Sequence, residues 1–131
     1  MNVLTIPGPP IALKRPRFSH GSVFDSQAEI KSGLKWIIKS QWNHEPLDGP
    51  IFIDIKFHFP IPKSWSKKKR EELTGKPHVN TPDLDNCIKL ILDVMNEVVF
   101  VDDRLVYSIR AEKIYSEKAK TIVEITNAPT Q

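Results

Sequence analysis

Thr81-Pro82-Asp83-Leu84-Asp85-Asn86-Cys87-Ile88-Lys89 decides the reading of this chain, because it gathers most of the residues able to do chemistry and leads into its most apolar helix. Pro82 fixes its own φ and pushes Thr81 out of the α region, so the chain is expected to enter this segment extended, as a strand end or a taut loop. Residues two apart then share a face, which aims Asp83 and Asp85 the same way and Leu84 into the core. Asp85 or Asn86 is a favoured N-cap for a helix beginning just beyond. A purely structural reading stays open beside this one: Thr81 as N-cap, Pro82 at the first helical position and carboxylates in the first turn. On that reading Asp83 and Asp85 stand about 200° apart around the axis and do not easily share a metal.

From about Asn86 to Glu97 the pattern predicts a helix apolar on most of its circumference, through Cys87, Ile88, Leu90, Ile91, Leu92, Val94, Met95 and Val98. Asp85, Lys89, Asp93 and Asn96 form its one polar stripe. Such a helix is buried on most sides, so a lysine on its polar edge between carboxylates is expected to face anions. Val98-Val99-Phe100-Val101 then reads as chain passing through the core, and Asp102-Asp103 follows. Adjacent acids near other carboxylates repel by on the order of 4 kcal/mol per pair at about 4 Å and an effective dielectric near 20. A divalent cation would relieve that repulsion.

The run from Thr81 to Val106 resembles the signature of the RusA family of Holliday junction resolvases, in which Asp-x-Asp-Asn, a Lys four residues on and a later Asp-Asp define the active site. The weaker resemblance extends over most of the chain: a Pro-rich end to a first strand at Pro7-Gly8-Pro9-Pro10, then helix, strand, motif helix and C-terminal hairpin. One departure is visible. Many relatives carry Gly where this chain has Glu97, at a turn that favours a left-handed residue, a role that Asn96 is then expected to take.

The resemblance implies a metal-dependent endodeoxyribonuclease that resolves four-way DNA junctions, with Asp83, Asp85 and Asp103 as ligands of Mg2+, for which Mn2+ could substitute. It is the resemblance that selects Asp103 over Asp102. Lys89, one helical turn beyond Asp85, would hold the scissile phosphate or stabilise charge on the pentacovalent centre. A junction of near two-fold symmetry needs two matched cuts, so one acidic cluster per chain implies a homodimer, as does the resemblance. A cytoplasmic protein of bacterial or phage origin is expected. Two rivals remain. One is a non-catalytic junction- or DNA-binding protein with a structural metal. The other is a metal-dependent enzyme on nucleotides or sugars that shares only Asp-x-Asp, which the basic clusters argue against.

Length and charge agree with a single domain spanning residues 1–131: 40% of residues are hydrophobic and the net charge is only +3, so the placement of basic residues matters more than their sum. Lys14-Arg15-Pro16-Arg17-Phe18 suits phosphate contact and base stacking, through Lys14, Arg15 and Arg17, although it also reads as a solvated loop. Lys67, Lys68, Lys69 and Arg70 form a second cluster, beside Trp65. It reads either as a charged surface helix or as a flap that grips DNA. The single cysteine, Cys87, falls on the apolar helix face and is read as a core residue in a reducing compartment. No apolar run approaches the ~18 residues of a membrane span, and the N-terminus lacks a signal-peptide pattern.

The remaining elements follow from periodicity. Val3 to Ile6 predicts a short strand, stopped by Pro7 to Pro10. Ser26 and Glu29 suit a capping box for a helix from about Gln27 to Trp42, with Lys31, Lys35 and Lys39 as a solvated stripe that could also follow a DNA backbone. Trp36 and Trp42 are read as packing or dimer-contact residues. Ile51, Ile53, Ile55, Phe57 and Phe59 alternate as the buried face of a strand, leaving His58 on the more exposed face and without a partner at zinc-ligand spacing. After Asp103, a strand through Leu105, Tyr107, Ile109 and Ala111 and another from Thr121 to Ile125 are expected to form a hairpin. The fold class expected is therefore α+β, in the order β-α-β-α-β-β, with two helices packed on one mixed sheet.

Overall fold

A computed structural model describes residues 2–14, 17–19 and 21–128. Its elements are β1 (Asn2–Pro7), β2 (Arg17–Ser19), β3 (Ser22–Phe24), α1 (Ala28–Gln41), β4 (Ile51–Pro60), α2 (Lys67–Leu73), α3 (Leu84–Met95), β5 (Val106–Ser116) and β6 (Lys120–Asn127), with a short 3-10 turn at Asp103–Leu105. β4 organises them. Its alternate residues Ile51, Ile53, Ile55, Phe57 and Phe59 are buried, as the alternation predicts. The strand is paired on both sides in a sheet of order β1-β6-β4-β5. β6 runs antiparallel to both β1 and β4, whereas β5 runs parallel to β4. A minor hairpin, β2 with β3, lies apart from this sheet, in a region that reads as loop from sequence.

α1 and α3 cover one face. Ile38 and Trp42 of the α1 region join Cys87, Leu90, Ile91, Val94 and Met95 of α3 in one core with the inward residues of the sheet. At roughly 1.5–3 kcal/mol for each fully buried apolar side chain, α3 is anchored more strongly than any other helix. α2 buries none of its residues, so the sheet carries two packed helices, as expected from the pattern. No helix among the described residues is long and apolar enough to cross a membrane.

The expected hairpin between β5 and β6 does not form, because β4 lies between them and pairs with both. Alternating strands joined by a short polar turn have the same inward and outward pattern whether they pair with each other or flank a third strand. The parallel pairing of β4 with β5 requires a crossover, and α2 and α3 lie within it. The motif-bearing segment is thus the connection of a βαβ unit. Both sheet edges are partly closed. Gln41 exchanges hydrogen bonds with the backbone of Thr5, at 2.9 and 2.7 Å. Residues 75–78 pair with the outer edge of β5 through Gly75, Lys76 and His78.

Two local expectations are corrected. The capping box is not made: Gln27 is the N-cap of α1 without a side-chain cap bond, and the Asp25 carboxylate accepts from its N–H at 2.9 Å instead. At the end of α3 it is Glu97, with φ at 69°, that takes the left-handed position, while Asn96 stays extended. A non-glycine residue there costs about 1–2 kcal/mol, partly offset by the entropy glycine would lose on folding. Glu97→Gly is therefore expected to stabilise the fold by about 0.5–1 kcal/mol, seen as a rise in denaturation midpoint.

On the open face of the sheet, both ring nitrogens of His58 are buried without a hydrogen-bond partner among the described residues; so is Nδ1 of His78, in the loop before α3, whose ring stacks on Phe59 at 3.9 Å. Burial, reinforced by Lys120 and Lys56, pushes His58 below its ordinary value of 6.5. Burial, and then Lys113, does the same to His78. The unfolded chain takes up these protons more readily, so their stability contribution is complete above pH 6.5 and is lost as pH falls below it. A His58→Leu/His78→Leu protein should lose less stability than wild type between about pH 7.5 and about pH 5.5, by chemical denaturation at each pH.

Candidate active site

Burial of one side of α3 turns its polar stripe outward: Asp85, Lys89 and Asp93 are exposed and Asn96 is half-buried. The helix begins two residues earlier than its apolar pattern suggests, with Asp83 as the N-cap and Asp85 inside the first turn. Neither the extended entry with both acids on one face nor a start at Thr81 describes it. Asp83 makes no side-chain cap hydrogen bond, so its carboxylate is not committed to the helix it begins. The chain leading into it is held by Lys113 of β5. The Lys113 ammonium donates to the carbonyls of Asn80 and Pro82, each at 2.6 Å.

At the other end of the helix, Val99 and Phe100 are buried and the chain emerges at Val101, just before the Asp102-Asp103 pair. Asp102 caps the 3-10 turn, accepting from the Arg104 N–H at 2.9 Å, and that bond holds its carboxyl below the ordinary carboxylate value. Asp103 is pushed the other way. Its hydrogen bond with Asp102, then burial, then the charges of Asp102 and Asp93 raise it above the ordinary value. One acid of the pair serves the backbone and the other is left facing anions. That is a physical distinction between Asp102 and Asp103 which their adjacency in sequence could not supply.

Asp103 and Lys89 line one open cleft of about 340 Å³ with Lys14, Lys31 and Asp93, floored by Leu13 and Leu92. Two long-range contacts build its near wall. The Leu13 N–H donates to the Asn86 carbonyl at 2.9 Å. The Gln27 side chain accepts from the Lys14 N–H at 2.8 Å and donates to the Ala12 carbonyl at 2.9 Å. Lys31, read from sequence as part of a solvated stripe, instead bridges Asp25 at 2.6 Å and Asp93 at 3.0 Å. Its charge is raised in pKa by Asp25 first and by Asp93 as well, so it stays a cation beside the cleft.

The predicted residues are only partly gathered. Lys89, Asp103 and Lys14 share the cleft, while Asp83 and Asp85 stand at the N-terminal end of α3 outside its lining. No three acids, histidines or cysteines among the described residues are arranged to hold a metal ion. The donor chemistry nonetheless suits a hard divalent cation, since Asp83, Asp85 and Asp103 offer only carboxylate oxygens and Asp83 makes no cap bond. In the second basic cluster, Lys67 and Lys68 are exposed on α2, Lys69 lies 4.0 Å from the centre of the Trp65 ring and Arg70 pairs with Glu117 at 2.9 Å. Arg15 lies outside the described residues; Arg17 pairs in β2 with Phe24, and only its backbone position is known. Lys113 was missed by the sequence reading. Its signal is a lysine in the inward phase of β5, level with Phe57 of β4.

Fold and site together define a small α+β domain that presents carboxylates and lysines along one helix edge, within the crossover of a βαβ unit. The family model described as endodeoxyribonuclease RusA matches residues 7–126, and the chain belongs to that family. Membership implies Holliday junction resolvase function. A relative in Bacillus subtilis (strain 168), named uncharacterized protein YqaN, is 32% identical over 134 residues covering 92% of each chain.

Lys113→Met should release the loop that carries Asp83. Charge-assisted hydrogen bonds contribute about 1.5–3 kcal/mol each, so losing both is expected to cost about 3 kcal/mol or more in chemical denaturation. Junction cleavage should fall with it, even where the protein is fully folded.

Proposed function

We propose that this chain is a Mg2+-dependent, structure-selective endonuclease that cuts phosphodiesters at four-way DNA junctions, with Mn2+ as a possible substitute. The observation that carries the reading is that Asp103 lines one cleft with Lys89, itself one helical turn from Asp85 along α3, in a chain of the RusA family. Asp83, Asp85 and Asp103 would hold the ion. When bound, the ion supplies an activated water and neutralises charge at phosphorus and on the leaving oxygen.

The remaining roles belong to the chain. Lys89 can place an ammonium against a non-bridging phosphate oxygen, where charge grows in the transition state. Lys14, on the opposite wall, suits a neighbouring phosphate. Lys31, shared with Asp25, offsets part of the Asp93 charge and so reduces the repulsion an entering phosphate meets. The exposed Lys67 and Lys68 are suited to grip phosphates beyond the cleft, through positioning contacts that carry no sequence information. Two matched cuts on a two-fold symmetric junction call for an isologous dimer, each protomer bringing one set of acids. The rival is a junction-binding protein without catalysis, which the separation of Asp83 and Asp85 from the cleft favours.

Nicking of a synthetic four-way junction, with Mg2+ and with chelator, separates the two. Asp83→Asn, Asp85→Asn and Asp103→Asn should abolish cleavage while junction binding is kept or strengthened, since phosphate repulsion falls. Asp102→Asn should keep measurable cleavage. Lys89→Ala should slow single-turnover cleavage at saturating junction by on the order of 10²-fold or more. Turnover at the wild-type rate in any of the three acid variants would remove that acid from the site.

A further inference from the structure

The cutting cleft does not end at Asp93. It opens into a second hollow of about 430 Å³ lined by Asp25, Lys31, Ser32 and Lys35. That hollow shares Ser32 and Lys35 with a third of about 350 Å³, which reaches Trp36, Lys39 and Val98. The three form one trench along the side of α1 that faces the end of α3. Lys31 is already held between Asp25 and Asp93, so the cations left to an incoming ligand in the distal part are Lys35 and Lys39. Trp36, between them in sequence, is 72% exposed, whereas Trp42, just beyond the end of α1, is 6% exposed and packed in the core. An exposed indole beside two cations suits a partner that offers negative charge next to an apolar face.

We infer that this trench carries one arm of the DNA away from the point of cutting, with Lys35 and Lys39 on phosphates two steps apart and Trp36 packed on a deoxyribose of the same strand. The inference rests on the resolvase reading and adds to it a binding surface distant from the acids. Lys35 and Lys39 lie four residues apart on a helix, about 6 Å along its axis. That is close to two steps of a duplex strand at about 3.4 Å each. An exposed tryptophan packed on a deoxyribose makes a sequence-tolerant contact, because the sugar is the same whatever base it carries. A protein that selects structure rather than sequence requires such contacts. Glu97 lines the same distal hollow and opposes a phosphate there. Its removal provides a test of opposite sign.

The experiment is equilibrium binding of a synthetic four-way junction in chelator, so that no cutting occurs, repeated over a range of salt concentrations. Lys35→Ala/Lys39→Ala should weaken binding tenfold or more near physiological salt, and make the salt slope shallower by up to about 1.8 log units, at about 0.9 for each phosphate contact. Trp36→Ala should weaken binding about tenfold, and Trp36→Phe should restore most of the loss. Glu97→Gln should tighten it. Shortening the arms of the junction should weaken wild type more than the lysine variant, which has already lost the distal contacts. Melting curves accompany each protein, and Lys35→Gln/Lys39→Gln replaces the alanine pair if that pair melts early. Wild-type affinity and salt slope in the lysine variants, with junction cleavage by wild type intact, would overturn the trench and leave the nuclease reading standing. A Trp36→Ala protein that loses self-association yet keeps its junction affinity would also overturn it, by making Trp36 a contact between protomers. A wild-type protein that neither binds nor cuts a junction would remove both proposals together.

Discussion

Burial of Cys87, Leu90, Ile91, Val94 and Met95 against the inner face of the sheet is the contact on which the arrangement of the site depends. A helix that must bury five side chains on one side has no rotational freedom left. Asp85, Lys89 and Asp93 are turned outward by that requirement rather than by any attraction of their own. The same packing sets the level at which the chain leaves the helix. Val99 and Phe100 continue into the core, so Asp102 and Asp103 emerge beside the outward stripe and not on the far side of the molecule.

Electrostatics then sorts acids that geometry has crowded together. Asp93 shares the Lys31 ammonium with Asp25, and Asp102 satisfies the Arg104 N–H at the start of its turn. Asp103 has neither compensation and lies next to both. A carboxyl raised by its neighbours is one for which a cation or a proton is the cheapest remedy. The cleft carries only a modest excess of positive charge. Three lysines, Lys14, Lys31 and Lys89, line it against two acids, Asp93 and Asp103.

Much of this was legible in the sequence wherever periodicity ran long enough to leave one answer. The alternation from Ile51 to Phe59 gave the central strand and its buried face, and the stripe Asp85, Lys89, Asp93 identified the exposed edge of α3. What could not be read were contacts between distant segments. The pairing of β4 with both β5 and β6 leaves no trace in either strand's alternation. Gln27 looks like an ordinary first-turn residue until its amide is found holding Ala12 and Lys14. Lys31 belongs to a lysine repeat of period four, yet the folded chain brings Asp25 and Asp93 to it alone. At the start of α3 several polar residues in succession can each serve as N-cap, and local propensity does not choose among Thr81, Asp83, Asp85 and Asn86. Tertiary packing chose.

The choice of Asp83 has a cost that exposes what the segment is for. A capping side chain satisfies an N–H that is otherwise orphaned, and is worth about 0.5–2 kcal/mol. Asp83 occupies the capping position and leaves that bond unmade. The stability lost is supplied from outside the helix, by an ammonium on β5 that grips the two carbonyls just before Asp83. Lys113 sits in the phase of the strand where neighbouring residues are apolar, so its placement is itself expensive unless those carbonyls are there to receive it. The sheet therefore bears the task of fixing the loop, and the carboxylate that would ordinarily have done so is left uncommitted. Replacing local stabilisation by a long-range one is the arrangement expected where a side chain is kept for a ligand.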